Sequence, residues 1–228
     1  MLLNEKTMSL ALSRRAALHG ALAAGLTLTM PGLAFAAADV KAATDKVAME
    51  DLMAAGALPD VVLGAADAKV TIVEYASMTC THCARFHQDV YPLLKSKYID
   101  TGKVKFILRE FPLDPLATAG FMLARCTGAD DKRTALVDLL FTQQKNWAFV
   151  DKPIESLLNL TKQAGFTQES FEVCLKNQEL YDGVNKVRDR GSEKFGVDAT
   201  PTFYINGVRK SGEMSIDEID KALEPLLK

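Results

Sequence analysis

Cysteine is scarce, with four residues in a chain of 228. That is too few for a disulfide scaffold and enough for one or two specific sites. Basic residues show no excess: 27 Lys and Arg stand against 29 Asp and Glu, net charge -2. The electrostatic footprint of a nucleic-acid binder is therefore absent. Neither a Gly/Ser linker nor an internal repeat divides the chain, so nothing marks a second independent domain. With 48% hydrophobic and 25% charged residues, the composition is that of a soluble globular protein. A disordered chain, a collagen-like repeat and a multi-span membrane protein are excluded.

The first 36 residues read as an export signal. Arg14 and Arg15 form a positive start, and 16–30 is uncharged and rich in Ala, Leu and Gly. Pro31 and Gly32 break it, and Ala34-Phe35-Ala36 supplies a small-x-small cleavage site. The apolar run is about 15 residues, where a membrane span needs roughly 20. Ser13-Arg14-Arg15-Ala16-Ala17-Leu18 resembles a twin-arginine signal, although Ala17 stands where Phe or Leu is usual. Tat and Sec routes both lead out of a bacterial cytoplasm. Cleavage after Ala36 removes Lys6, Arg14, Arg15 and Glu5, moving the net charge from -2 to -4. All four cysteines follow that point and would face an oxidising compartment.

Residues 37–63 form a lead-in, extended or partly helical. Val70 to Tyr75 is β-branched and aromatic, the composition of a buried strand. A helix is predicted from near Cys80 to near Tyr98, with Cys83, Phe86, Val90 and Leu94 as its apolar stripe. Lys103 to Phe111 alternates as a second strand, so the unit is βαβ and its strands parallel. From Pro115 to Lys194 the spacing is helical, punctuated by Gly128, Pro153, Gly165 and Gly191. Thr202 to Ile205 then runs into Asn206-Gly207, a strong hairpin signal. Ser215 with Glu218 reads as the capping box of a last helix. The resulting segments are 64–114 and 195–228 around a helical block, 115–194. Trp147, with Phe149 and Val150, is read as core packing, with a groove lining as the other option.

Cys80-Thr81-His82-Cys83 carries the chemistry. The pair follows a strand at a helix start, where unpaired N–H groups and the helix dipole favour an anion. Cys80 is therefore the better thiolate, and His82 can add hydrogen bonding or positive charge. Each pKa unit of depression favours the reduced, ionised form by about 1.4 kcal/mol. A pair whose reduced form is stabilised gives its disulfide away and is an oxidant. A zinc site would need a second close Cys/His pair, whereas Cys126 and Cys174 are isolated. His87 reads as a helix-surface residue.

Strand, C-x-x-C, inserted helices and Ala199-Thr200-Pro201-Thr202 before a strand together resemble the thioredoxin superfamily. More narrowly, 60–228 resembles the DsbA-type periplasmic thiol-disulfide oxidoreductases of the alphaproteobacterial type. The stretches that carry the likeness are 74–80, 109–116 and 195–203. The resemblance implies an α/β thioredoxin fold with an inserted helical domain. It makes Cys80 the nucleophile, Cys83 the resolving partner and Pro201 a cis-proline facing the pair. It makes Glu74 a buried acid that moves a proton from the second cysteine. Thr200 and Thr81 would tune the redox potential; the family often has proline at position 81. Cys126 and Cys174 are expected to pair as a structural disulfide, as in some relatives, or else to pack as two buried thiols.

The function implied is dithiol-disulfide exchange that introduces disulfides into exported proteins in the periplasm. The substrates would be reduced exported proteins. A quinone-linked membrane oxidase of the DsbB or VKOR type would re-oxidise the pair. The protein would act as a monomer without an organic cofactor or nucleic acid. One alternative is an isomerase or reductase, although Asp39 to Leu58 lacks the sustained heptads of an oligomerisation segment. Another is a Cu(I)-binding exported protein, for which no Met-rich or His-rich tract is present.

Overall fold

The structure, a computed structural model, describes residues 46–228; the export signal and its cleavage site lie outside the described residues. Helix α1 (Met49–Met53) and the two-residue strand β1 (Val62–Leu63) belong to the lead-in. Strand β2 (Val70–Ala76) is buried throughout, and β3 (Val104–Glu110) nearly so. Strands β4 (Thr202–Ile205) and β5 (Val208–Ser211) follow the helical block. They form one sheet in the order β1-β3-β2-β4-β5. Strands β2 and β3 run parallel, and the other neighbours antiparallel. The β4–β5 turn is Asn206-Gly207, with positive φ at both residues, as a two-residue hairpin requires.

Period two divides β2 between the two faces of the sheet. Val70 and Ile72 pack with Phe86, Leu94, Phe106, Phe203 and Leu223, beneath the helices at 81–99 and Ile216–Leu227. Val73 and Tyr75 pack on the opposite face with Ile107, Phe195 and Tyr204. Glu74 shares the parity of Val70 and Ile72 and so faces the helix that carries the cysteine pair.

That helix, α2, spans 81–99 and is not uniform. Wide π turns at Phe86–Val90 and Lys95–Ile99 alternate with α-helical Thr81–Arg85 and Tyr91–Leu94. Pro92 has no N–H to offer the preceding turn, and Tyr91 N–H reaches back five residues to Phe86 O instead. The extra residue rotates the buried stripe. His87 and Tyr91 are buried, while Val90 of the expected stripe is only half-buried. His87 is therefore a core residue, not a surface one.

Helices α3 (Pro115–Arg125), α4 (Asp130–Thr142), α5 (Gln144–Trp147), α6 (Pro153–Thr161), α7 (Gln168–Leu175) and α8 (Gln178–Phe195) lie between β3 and β4. Their core includes Met78, Cys83, Phe121, Phe141 and Trp147. Trp147 is fully buried and donates to Leu140 O at 2.8 Å, whereas Phe149 is exposed. Glu110, at the end of β3, accepts from Arg125 at 2.6 Å and Arg133 at 2.8 Å, fixing the block to the sheet. Cys126 and Cys174 are joined, with their Cα atoms 6.2 Å apart. Gly191 was expected to break a helix and instead lies inside α8. A Cβ there would stand 2.8 Å from the Tyr75 ring, so the glycine serves close approach to β2.

Gly191→Ala should cost about 1–3 kcal/mol. The Tyr75 ring cannot yield, because its hydroxyl is held by Arg109 at 3.0 Å. The midpoint of denaturant unfolding should fall at constant slope. Replacing Cys126 and Cys174 by serine should cost up to about 4 kcal/mol in the chain-entropy model, read in the same experiment.

Candidate active site

Strand β2 ends at Ala76, and the chain turns through Ser77 so that Cys80 N–H reaches Ser77 O at 3.1 Å. Cys80 is the N-cap of α2. On the other side, Glu74 lies opposite Phe203 and Tyr75 opposite Thr202. Continued one step, this antiparallel register sets Pro201 beside Ala76, at the mouth of the cysteine turn. The Thr200-Pro201 bond is cis. In the thiol form Cys80 Sγ–H donates to Thr200 O at 3.2 Å. Once ionised, the sulfur accepts instead. Its donors are foremost the Cys83 thiol, then the Thr200 hydroxyl and the backbone N–H groups of Cys83 and His82. The Thr200 hydroxyl has no other partner among the described residues. Together they outweigh burial and pull the Cys80 pKa down to about 5.

Cys83 behaves in the opposite way. It is fully buried, and burial, the Cys80 sulfur and the Glu74 charge all push its pKa well up. Both cysteines carry free thiols. One sulfur is poised as thiolate and leaving group, the other as a protonated partner.

Glu74 is fully buried and its Oε2 accepts from His87 Nε2 at 3.0 Å. Thr81 is exposed at the first helical position. His82 departs from expectation. Its Nδ1 accepts from Arg85 at 2.6 Å and lies 3.1 Å from Glu213 Oε2. The ring is thus turned to Arg85 and Glu213, and only the His82 backbone N–H serves Cys80. Arg85, whose charge is felt at Cys80, was not singled out from the sequence. Gln144 was missed as well. This buried side chain donates to Met78 O at 2.8 Å and Cys80 O at 2.9 Å. It pins the cysteine turn to the helical block. Cys126 and Cys174 lie within that block, apart from the Cys80–Cys83 pair.

Titrated by thiolate absorbance, Cys80 should ionise at about 5, and Thr200→Val should raise that midpoint by removing one donor. The folded pKa lies below the unfolded value, so the unfolded reduced chain binds more protons between about 5 and 9. Stability of the reduced protein should therefore rise with pH across that window, by about 1.4 kcal/mol per unit. The gain is lost as pH falls through about 5, and the oxidised protein lacks the slope. Gln144→Leu should cost about 1–3 kcal/mol by leaving two buried carbonyls unpaired, read by denaturant unfolding.

The thioredoxin family model matches residues 57–225. A Rickettsia conorii protein described as a candidate protein-disulfide oxidoreductase is 37% identical over 169 residues, covering 72% of this chain and 61% of that protein. The chain thus spans less than two thirds of the length of that relative. Disulfide bond formation protein D of Bacillus subtilis is 28% identical over 177 residues, covering 73% of this chain and 77% of that one. The crystal structure of Wolbachia pipientis alpha-DsbA1 matches with a TM-score of 0.70 at 29% identity, covering 75% of this chain and 92% of that one. With its fold, its C-x-x-C helix and the Thr200-Pro201 loop, the chain belongs to the thioredoxin superfamily, in its DsbA-type branch.

Proposed function

We propose that the protein is a thiol-disulfide oxidoreductase that introduces disulfide bonds into exported proteins through Cys80 and Cys83. The observation that carries this reading is the opposed ionisation of the two thiols. A low Cys80 pKa stabilises the reduced form, and that makes the disulfide form an oxidant. A substrate thiolate attacks Cys80 of the Cys80–Cys83 disulfide. A mixed disulfide forms, and the electron pair of the broken bond leaves on Cys83. The substrate's second thiol then displaces Cys80, which leaves readily because its pKa is low. Thr200 tunes that departure through its hydroxyl. Pro201, with no N–H of its own, borders the place where an extended substrate segment would lie.

The names of the relatives support this chemistry. The partner that re-oxidises the pair is a quinone-linked membrane oxidase of the DsbB or VKOR type. The protein works as a monomer in the periplasm, delivered by a signal cleaved after Ala36 through the Tat or Sec route.

The reduction potential of the pair, measured by equilibration with glutathione, should lie toward roughly -120 mV, the value typical of DsbA. A value toward roughly -270 mV, typical of thioredoxin, would sink the oxidase reading in favour of a reductase or isomerase.

A further inference from the structure

Thiol exchange by itself does not account for the buried pair beneath Cys83. Cys83 and His87 stand four residues apart on α2, hence on one face of the helix. Glu74 reaches that face from β2. The Glu74 and His87 side chains are 0% and 2% exposed. Two charges buried this deeply are costly unless every remaining polar atom is bonded, yet Glu74 Oε1 and His87 Nδ1 have no hydrogen-bond partner among the described residues. The groups that face the His87 ring are Glu74 from β2, Cys83 and Tyr91 from its own helix, and Asp138 and Arg133 from α4. Asp138 Oδ1 stands 3.8 Å from Nδ1, while Arg133 is held away by Glu110. Phe141 stacks on the ring at 4.2 Å and fixes its plane. The ring is thus held between two carboxylates, with one nitrogen bonded to the acid whose charge is felt at Cys83.

We propose that His87 is the proton store for Cys83, exchanging one proton with it through the Glu74 carboxylate. The proposal rests on the thiol-exchange reading above. When an incoming thiolate bonds to Cys80, the Cys80–Cys83 bond breaks and its electron pair goes to Cys83 Sγ. A proton moves from His87 Nε2 to Glu74 and from Glu74 to Cys83. His87 is left neutral and Cys83 is a thiol. On closure the proton returns by the same route. The Cys83 thiolate attacks Cys80 in the mixed disulfide, the Cys80–Cys83 bond re-forms, and the electron pair leaves on the partner's sulfur. His87 acts through Glu74 and touches neither reacting sulfur. Its role is therefore separable from that of the cysteines.

The test is the rate at which glutathione opens the oxidised full-length protein, per glutathione thiolate, as a function of pH. In the wild type the rate should hold level up to about 9, where the two carboxylates have placed the His87 pKa against the cost of burial, and fall above it. His87→Gln keeps a donor for Glu74 but carries no transferable proton. It should be slowed about 100-fold at neutral pH and lose the fall near 9, with the Cys80 thiolate midpoint unchanged. A variant with the wild-type rate and profile overturns the proposal. A measurement without a variant stands beside it. Nitrogen NMR of the oxidised wild type should show both His87 ring nitrogens protonated at neutral pH, and a neutral ring there overturns the proposal. If glutathione fails to open even the wild type, the thiol-exchange reading itself fails. If only the variant behaves unexpectedly, that reading stands and the proton store falls.

Discussion

The structure turns on the meeting of one helix start with one loop. Cys80 caps α2 just where Thr200 and Pro201 close over it, and both positions are consequences of the register of β2 with β4. If that pairing slipped by one residue, every side chain of β4 would change faces. Thr200 would leave Cys80, and Phe203 would leave the core beneath α2. The buried apolar contacts of β2, β4 and α2 thus hold the chemistry in register. This is why the reacting sulfur sits on rigid elements instead of a free loop.

Burial separates the two cysteines although they are one helical turn apart. Cys80 remains at the edge, where N–H groups and a hydroxyl can solvate its charge. Cys83 points inward to Met78, Phe121 and Trp147, where a thiolate has no such solvation. The helical block supplies this apolar wall, and Gln144 also ties the block to the cysteine turn. The insertion therefore does more than cover the sheet: it creates the difference between the two sulfurs. Arg125 and Arg133 anchor it at Glu110, immediately after the β3 stretch that pairs with β2.

Much of this was legible in the sequence, because it depends on neighbours along the chain. Period two marked β2 and β3, Asn206-Gly207 marked the hairpin, and Ser215 with Glu218 marked the last helix. The cysteine spacing placed the thiolate at a helix start. Contacts across the chain were not legible. Gly191 looked like a helix break because nothing local reveals the Tyr75 ring against it. Gln144 looked like any polar residue at a helix end. Strand β1, two residues long, offers too short a pattern to read. His82 was misjudged because Arg85 and Glu213, which hold its ring aside, are 128 residues apart.

His87 shows how a small backbone departure changes a functional reading. Assuming a regular α-helix, its position falls beside the apolar stripe and reads as solvent-facing. The π turn at Phe86–Val90 adds a residue and brings His87 more nearly in line with Cys83. Pro92 is what makes that turn favourable, since it withdraws the N–H that a regular α-turn would use. One proline thus decides whether the acid on β2 meets a histidine or an apolar side chain. An apolar neighbour would leave the Glu74 charge buried without a counter-ion, at a cost of several kcal/mol. The helix irregularity and the buried acid are therefore one arrangement: Glu74 can keep its place beneath Cys83 only because the widened turn delivers a cation to it.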